Sequence, residues 1–373
     1  MKLTKKIDRS TRGQNARELW QKIMHFEKPD RIPLFNIESI HNAIPRWHTE
    51  GLPIHMDVED YLGLDHIEWI PISFWPIPGF VPRTLKEDSD YRIEIDELGI
   101  KKKVLKKNPS LVYSYLEHPV KSRDDWEKMK ERFNPHDIRR YPISWGNELV
   151  RYYNTADHPI GLLIHPFFFR LGLYSMGLTK FLMSFYDDPD LIHDMFSFWA
   201  DFTVELTREV LERVKLDFVS IAEDIAYKSA PHVSPEMYKQ FWLPYQRKVI
   251  ELIKSSGVEV LSFWSSGNIK PLIPLLLEAG FNCFWPLENM AGMNAVDMRK
   301  KYGKKVLLVG NIAKEALIKG KEAIKKEVYS KVPYLMEAGG YIPAVDDEMP
   351  QEVPFQNYVY YIELLKELSI KLG

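Results

Sequence analysis

Glu223 and Asp224 close an otherwise apolar run that begins at Phe218, and polar side chains close several other such runs. Asn36, Glu38 and His41 come at or just after residues 32–37, and Ser73 and Trp75 follow residues 66–72. His165 ends the run 160–165, with Arg170 close behind, and Tyr227 and Lys228 come just after the acidic pair. Trp264, Ser265, Ser266 and Asn268 follow residues 259–263, and Glu288 and Asn289 follow residues 281–286. Asn311 comes after residues 306–310, and Asp346, Asp347 and Glu348 after Tyr341–Val345. At least five of these residues are carboxylates, with few cations to balance them. Carboxylates gathered in one place cannot all stay ionised, so one or more is expected to carry a raised pKa and to act as a general acid.

Glu223, Asp224, Asp346 and Asp347 are therefore the catalytic candidates, with Tyr227 placed to orient one of them. Asn36, His41, Trp75, His165, Arg170, Trp264, Asn268, Glu288 and Asn311 form the candidate substrate-binding set. Some of these residues suit other work. Asp346, Asp347 and Glu348 precede the proline-rich start of a helix and could cap it, and His165 would serve as a core histidine too. Cys283 lies inside an apolar run, where a thiol packs and stays inert. The chain has no Cys-x-x-Cys, His-Glu-x-x-His or phosphate-binding glycine loop, and no Gly-x-Ser-x-Gly elbow for a serine nucleophile.

The elements that must position these groups alternate along the chain. Strands are expected at residues 32–37, 66–72, 160–165, 218–223, 259–263, 281–286, 306–310 and 341–345. Amphipathic helical stretches lie between them, at 178–186, 189–214, 235–255, 269–279, 294–301, 313–338 (in two pieces) and 354–368, and residues 15–26 form an opening helix. Repeated strand–helix units of this kind build a parallel sheet, and eight of them close into an α/β (β/α)8 TIM barrel. In such a barrel the catalytic groups sit just after the strands, where the polar residues above fall. An open doubly wound sheet is disfavoured because no Gly-x-Gly-x-x-Gly turn follows the first strand.

One barrel domain is expected to span residues 1–373, with about 75–145 as an irregular insertion that carries a β-hairpin. The hairpin pairs residues 91–96 with the basic run 100–107 across the turn at Glu97–Leu98–Gly99. A lysine run of this kind usually marks a solvated face. Hydrophobic residues make up 45% of the chain and charged residues 27%, with a formal net charge of −2, so no global basic field draws nucleic acid. A single cysteine rules out an internal disulfide and fits a reducing compartment. No apolar run of about 18 residues is present to span a bilayer, and the basic opening, residues 1–8, has no apolar signal core behind it. A cytoplasmic enzyme is expected.

Several segments together resemble one family. Arg17-Glu-Leu-Trp, Glu27-Lys-Pro-Asp-Arg-Ile-Pro-Leu34, Asp187-Asp-Pro-Asp-Leu-Ile-His193, Glu223-Asp-Ile-Ala-Tyr-Lys228 and His232-Val-Ser-Pro-Glu-Met-Tyr238 carry the first half of the resemblance. Ser266-Gly-Asn-Ile-Lys-Pro271, Pro286-Leu-Glu-Asn-Met-Ala-Gly-Met293, Gly310-Asn-Ile312 and Asp346-Asp-Glu-Met-Pro350 carry the second. In this order and spacing they resemble the uroporphyrinogen decarboxylase-like superfamily, which implies a (β/α)8 barrel over nearly the whole chain.

That superfamily holds decarboxylases and methyltransferases that work with corrinoid proteins. The decarboxylases carry Arg-Gln-Ala-Gly-Arg-Tyr after the first strand, where this chain has Asn36-Ile-Glu-Ser-Ile-His41, without the arginines that grip a poly-acid. The thiol-methylating branch binds zinc through His-x-Cys and a later Cys. The corresponding positions here are Trp264, Ser266 and Asp347, so the usual zinc ligands are missing and a harder metal site is left open. The resemblance then implies the methyl-donor side: demethylation of a methoxylated aromatic substrate, with the methyl group passed to the cob(I)alamin of a separate corrinoid protein. Trp75, Trp264 and Trp285 would wall such a ring. A decarboxylase of a small carboxylated substrate, methyl transfer from a methylamine, a non-catalytic binding barrel and a homodimer all stay open.

Overall fold

The computed structural model describes residues 15–372; the basic opening stretch lies outside the described residues. Seven parallel strands form one sheet in chain order: β1 (Glu68–Trp69), β6 (Ile160–Ile164), β7 (Phe218–Ala222), β8 (Leu261–Trp264), β9 (Cys283–Trp285), β10 (Leu307–Ile312) and β11 (Tyr341–Val345). Four antiparallel strands, β2 (Arg83–Glu87), β3 (Tyr91–Ile95), β4 (Lys101–Leu105) and β5 (Asn108–Glu117), form a second sheet between β1 and β6.

The parallel sheet curls like a barrel, as its alternation shows. Phe218, Val260, Cys283, Trp285, Leu307, Val309, Ile342 and Ala344 gather in one cluster, while Val219, Ile221, Phe263, Phe284, Leu308 and Tyr341 join the cluster under the helices. Successive strand residues point to opposite faces, so each strand divides its side chains between an interior and a helix-covered exterior. The opening helix, Ala16–Met24, buries Leu19, Trp20, Ile23 and Met24 in the interior cluster. It is capped by Asn15, whose side chain accepts from Glu18 N at 2.8 Å.

The expected first strand is reduced to a single parallel bridge between Phe35 and Asp65. Pro33 offers no N–H to a ladder, and the nearby Asp65 carboxylate accepts from Leu34 N at 2.9 Å while it holds Arg31 at 2.6 and 2.5 Å. The second strand shrinks to two residues, ahead of Pro71. The expected hairpin is part of the larger four-stranded sheet, in which Tyr91–Ile95 pairs with Lys101–Leu105. Three of its lysines are neutralised locally: Lys101 pairs with Glu117 at 2.7 Å, Lys102 with Asp96 at 3.1 Å and Lys106 with Glu87 at 2.6 Å.

The expected helix 235–255 carries a π-helical stretch at Tyr238–Trp242. Pro244 cannot donate to the carbonyl four residues back, which explains the local widening. Among the described residues, no helix is long and apolar enough to cross a membrane.

Candidate functional site

The polar residues converge where β6, β7, β8, β9 and β11 end. Glu38, reached by the chain just beyond the Phe35 bridge, is buried at 8% exposure. Burial, reinforced by the nearby Asp347 carboxylate, pushes its carboxyl up to about 8, although the indole N–H groups of Trp285 and Trp264 pull the other way. Its Oε1 and the Trp285 Nε1 are both buried without completing a hydrogen bond. A carboxyl in this setting is protonated at neutral pH and can donate a proton.

The Trp264 ring beside Glu38 also carries an arginine held by several partners. Arg170 sits 4.8 Å over the Trp264 ring, 3.1 Å from the Asp224 carboxylate, 2.8 Å from His165 Nε2 and 3.1 Å from the Tyr174 hydroxyl. Burial, then the charge of Arg170, lowers the pKa of His165 to about 3, so the ring is neutral and accepts from the guanidinium. Trp75 packs edge-on against His165 with centroids 5.1 Å apart. Asp224 adopts φ 54°, a left-handed conformation that Asp tolerates better than most residues. Burial raises its pKa; Arg170 opposes that shift and Asp347 adds to it.

The loops beyond β8, β9 and β11 form a bonded frame around these groups. Asp347 accepts from Ser266 Oγ at 3.1 Å and from Lys314 Nζ at 2.7 Å, and Lys314 also lies 3.9 Å from Glu288. Glu288 in turn accepts from Gly267 N at 2.9 Å. Gly267 has φ 82°, and an added Cβ would lie 2.5 Å from the Ala226 carbonyl oxygen, so only glycine lets the two loops meet. Asp346 is fully buried and accepts from Lys314 N, Asn289 N and Asn289 Nδ2 at 2.8–2.9 Å. Burial raises its pKa against those bonds. It holds loop backbone and presents no oxygen to the mouth.

The other expected site residues lie as follows. Glu223 is 0% exposed, and both its oxygens are occupied, Oε2 by Phe169 N at 2.6 Å and Oε1 by Trp242 Nε1 at 2.9 Å. Burial pushes it up to about 8, yet it faces the π-helical turn and the Phe168–Met176 helix. Tyr227 is 67% exposed, and its hydroxyl meets neither acid of the pair. His41 is exposed and stands apart from the cluster. Asn36 approaches Glu59 at 3.5 Å, away from the mouth.

Asn268 ties Ser229 O to Lys270 N, a loop-bracing role. Asn311, at φ 68°, spends its side chain on Leu287 O, Met293 O and Ala295 N. Cys283 is buried and its thiol is pushed up to about 12, as expected of an inert packing residue.

Glu38 and Lys314 were not singled out in the sequence. Glu38 stands among the strand-end polar residues, but its burial is invisible there. Lys314 opens a helix-like stretch and looks like any surface lysine. Zinc does not fit the positions aligned with the thiol-methylating ligands. Trp264 offers no donor lone pair, Ser266 gives its hydroxyl to Asp347, and the other Asp347 oxygen is taken by Lys314.

The family model for uroporphyrinogen decarboxylase (URO-D) matches residues 89–368. Uroporphyrinogen decarboxylase 2, chloroplastic, of Oryza sativa subsp. japonica is 21% identical over 308 residues, 80% of this chain and 74% of the relative. Methylcobamide:CoM methyltransferase MtbA of Methanosarcina mazei is 23% identical over 299 residues, 77% of this chain and 80% of the relative. Among solved structures, a methyltransferase from Methanosarcina mazei superposes with a TM-score of 0.62 at 16% identity, over 95% of this chain and 99% of that one. That likeness supports a barrel-like α/β fold. These relatives are enzymes, decarboxylases and methyltransferases alike, and the chain belongs to the uroporphyrinogen decarboxylase family.

Proposed function

We propose that this protein demethylates a methoxylated aromatic compound and passes the methyl group to the reduced corrinoid of a separate protein. The observation that carries the reading is Glu38, a buried carboxyl pushed up to about 8 beside the indoles of Trp264 and Trp285. A phenolate expelled from an aryl methyl ether needs a proton, and a buried acid with a pKa near 8 holds one ready. Trp75 and Trp264 are both partly exposed, so a flat ring laid against them stays within reach of a partner docked from outside. Arg170, stacked on Trp264, suits a ring carboxylate or hydroxyl.

The corrinoid is a second substrate, brought by its carrier protein, and it supplies the nucleophile. Residues of this chain have three tasks: to hold the ring, to keep the ether in line for displacement, and to return a proton to the leaving oxygen. Asp224 fixes the Arg170 guanidinium, and the Asp347–Lys314–Glu288 frame holds Ser266 and Gly267 in place.

The decisive experiment mixes the protein with a panel of methoxybenzoates and a reduced corrinoid protein and follows methylcobalamin by absorbance. Methylation that depends on the methoxy group supports the reading, and no methylation across the panel overturns it. Transfer from a methylamine instead would keep the corrinoid partner and discard the aromatic donor. A decarboxylase of a small acid remains the second reading, favoured by the same Glu38, since a protonated acid beside Arg170 could also quench a carbanion. It predicts carbon dioxide release with no corrinoid protein added.

A further inference from the structure

At the opposite end of the barrel, where β1 and β6 begin, His66, Glu68 and His158 bring one ligand atom each within 4.8 Å of one another. His158 Nε2 lies 2.9 Å from Glu68 Oε2, and His66 Nε2 lies 4.0 Å from the same oxygen. The two imidazoles pack edge to face with centroids 4.4 Å apart. A zinc ion bonded at about 2.0–2.2 Å in a tetrahedron separates its ligand atoms by about 3.3–3.5 Å, between the two spacings seen here.

The surrounding carboxylates give a second, independent indication. Glu59 Oε2 is 3.2 Å from His66 Nδ1, and Asp157 Oδ1 is 3.0 Å from His158 Nδ1. An acid that accepts the Nδ1–H of its imidazole leaves Nε2, the nitrogen on the Glu68 side, as the one that can bind a metal. This carboxylate–imidazole pairing is the outer shell that orients metal-binding histidines. His158 Nε2 and Glu68 Oε2 share a hydrogen bond at 2.9 Å, and a cation between them would take the place of its proton. The Tyr152 hydroxyl donates to Glu68 Oε2 at 2.8 Å and steadies the carboxylate.

We propose that His66, Glu68 and His158 bind a zinc ion that ties the start of β1 to the segment entering β6. His66 is half-exposed, so solvent reaches the site and a water completes the coordination. The ion would brace the N-terminal ends of these strands, away from the strand ends where the polar residues gather.

The test uses the full chain stripped with a chelator, then titrated with Zn2+ by calorimetry and with Co2+ by visible absorption. The expected result is one equivalent of Zn2+, a Co2+ spectrum of a nitrogen–oxygen site, and a melting midpoint raised by Zn2+. His66→Ala, at the more exposed ligand, should fold and lose both the equivalent and the thermal gain. Glu59→Gln should weaken binding by about 10–100-fold, the range for outer-shell partners. His55→Ala, an exposed histidine elsewhere, should bind as the parent does. Absence of stoichiometric Zn2+ binding overturns the proposal, and so does binding that survives in the His66→Ala/His158→Ala pair.

Discussion

Replacing Glu38 with Gln keeps the shape of the neutral acid and removes its ability to ionise. In the folded protein this carboxyl is pushed from its ordinary 4.5 up to about 8. A raised carboxyl contributes stability that is fully present below its unfolded pKa and is lost as pH rises through its folded pKa. With those two values the contribution is about 4 kcal/mol near pH 5, about 1 kcal/mol near pH 7 and close to zero near pH 9. Between about pH 7 and 9 the parent should therefore lose about 1 kcal/mol that Glu38→Gln does not, roughly a factor of five to ten in the folding equilibrium. Urea unfolding of both proteins at these pH values reads the difference directly. Glu223 is shifted to a similar extent, but it is common to both chains and cancels. Catalysis adds a second reading of the same group: parental turnover should fall above about pH 8, and Glu38→Gln should be slower by about 100-fold or more with that decline removed. Stability curves that run parallel across the whole pH range would refute the buried-acid argument, whatever the turnover does.

Arg170→Met should lower kcat/KM for an acidic aromatic substrate by about 10–100-fold, and Arg170→Lys should not restore it, because an ammonium cannot both stack on Trp264 and span His165 and Asp224. Steady-state kinetics with paired carboxylated and neutral substrates would check this, and equal losses on both would count against substrate recognition by Arg170. Trp242→Phe leaves Glu223 Oε1 without its donor and should destabilise the fold by about 1–3 kcal/mol, read as a lower urea midpoint. Tyr227→Phe should leave turnover and pH profile unchanged, since its side chain is exposed; a fall of tenfold or more would return that hydroxyl to the mechanism.

Local composition was enough to place the repeating unit. Apolar runs with polar ends, separated by amphipathic stretches, mark β6 to β11 within a few residues, because a strand between a barrel interior and a helix layer must be apolar on both faces. The N-terminal strands were harder to read: Pro33 and Pro71 interrupt ladders that the surrounding hydrophobicity suggests. The convergence of Asp224, Arg170, His165 and Trp264 also follows from strand ends, since every parallel strand delivers its last residues to the same rim. Which carboxyl carries a proton to the mouth does not follow from strand ends. Glu223 and Glu38 have the same side chain and both are pushed up to about 8. Two donors from distant segments, Phe169 N and Trp242 Nε1, turn Glu223 into a brace, while Glu38 keeps an oxygen without a partner. Burial and hydrogen-bond satisfaction depend on segments far apart in the chain, so the proposed choice of Glu38 as the acid rests on the folded structure.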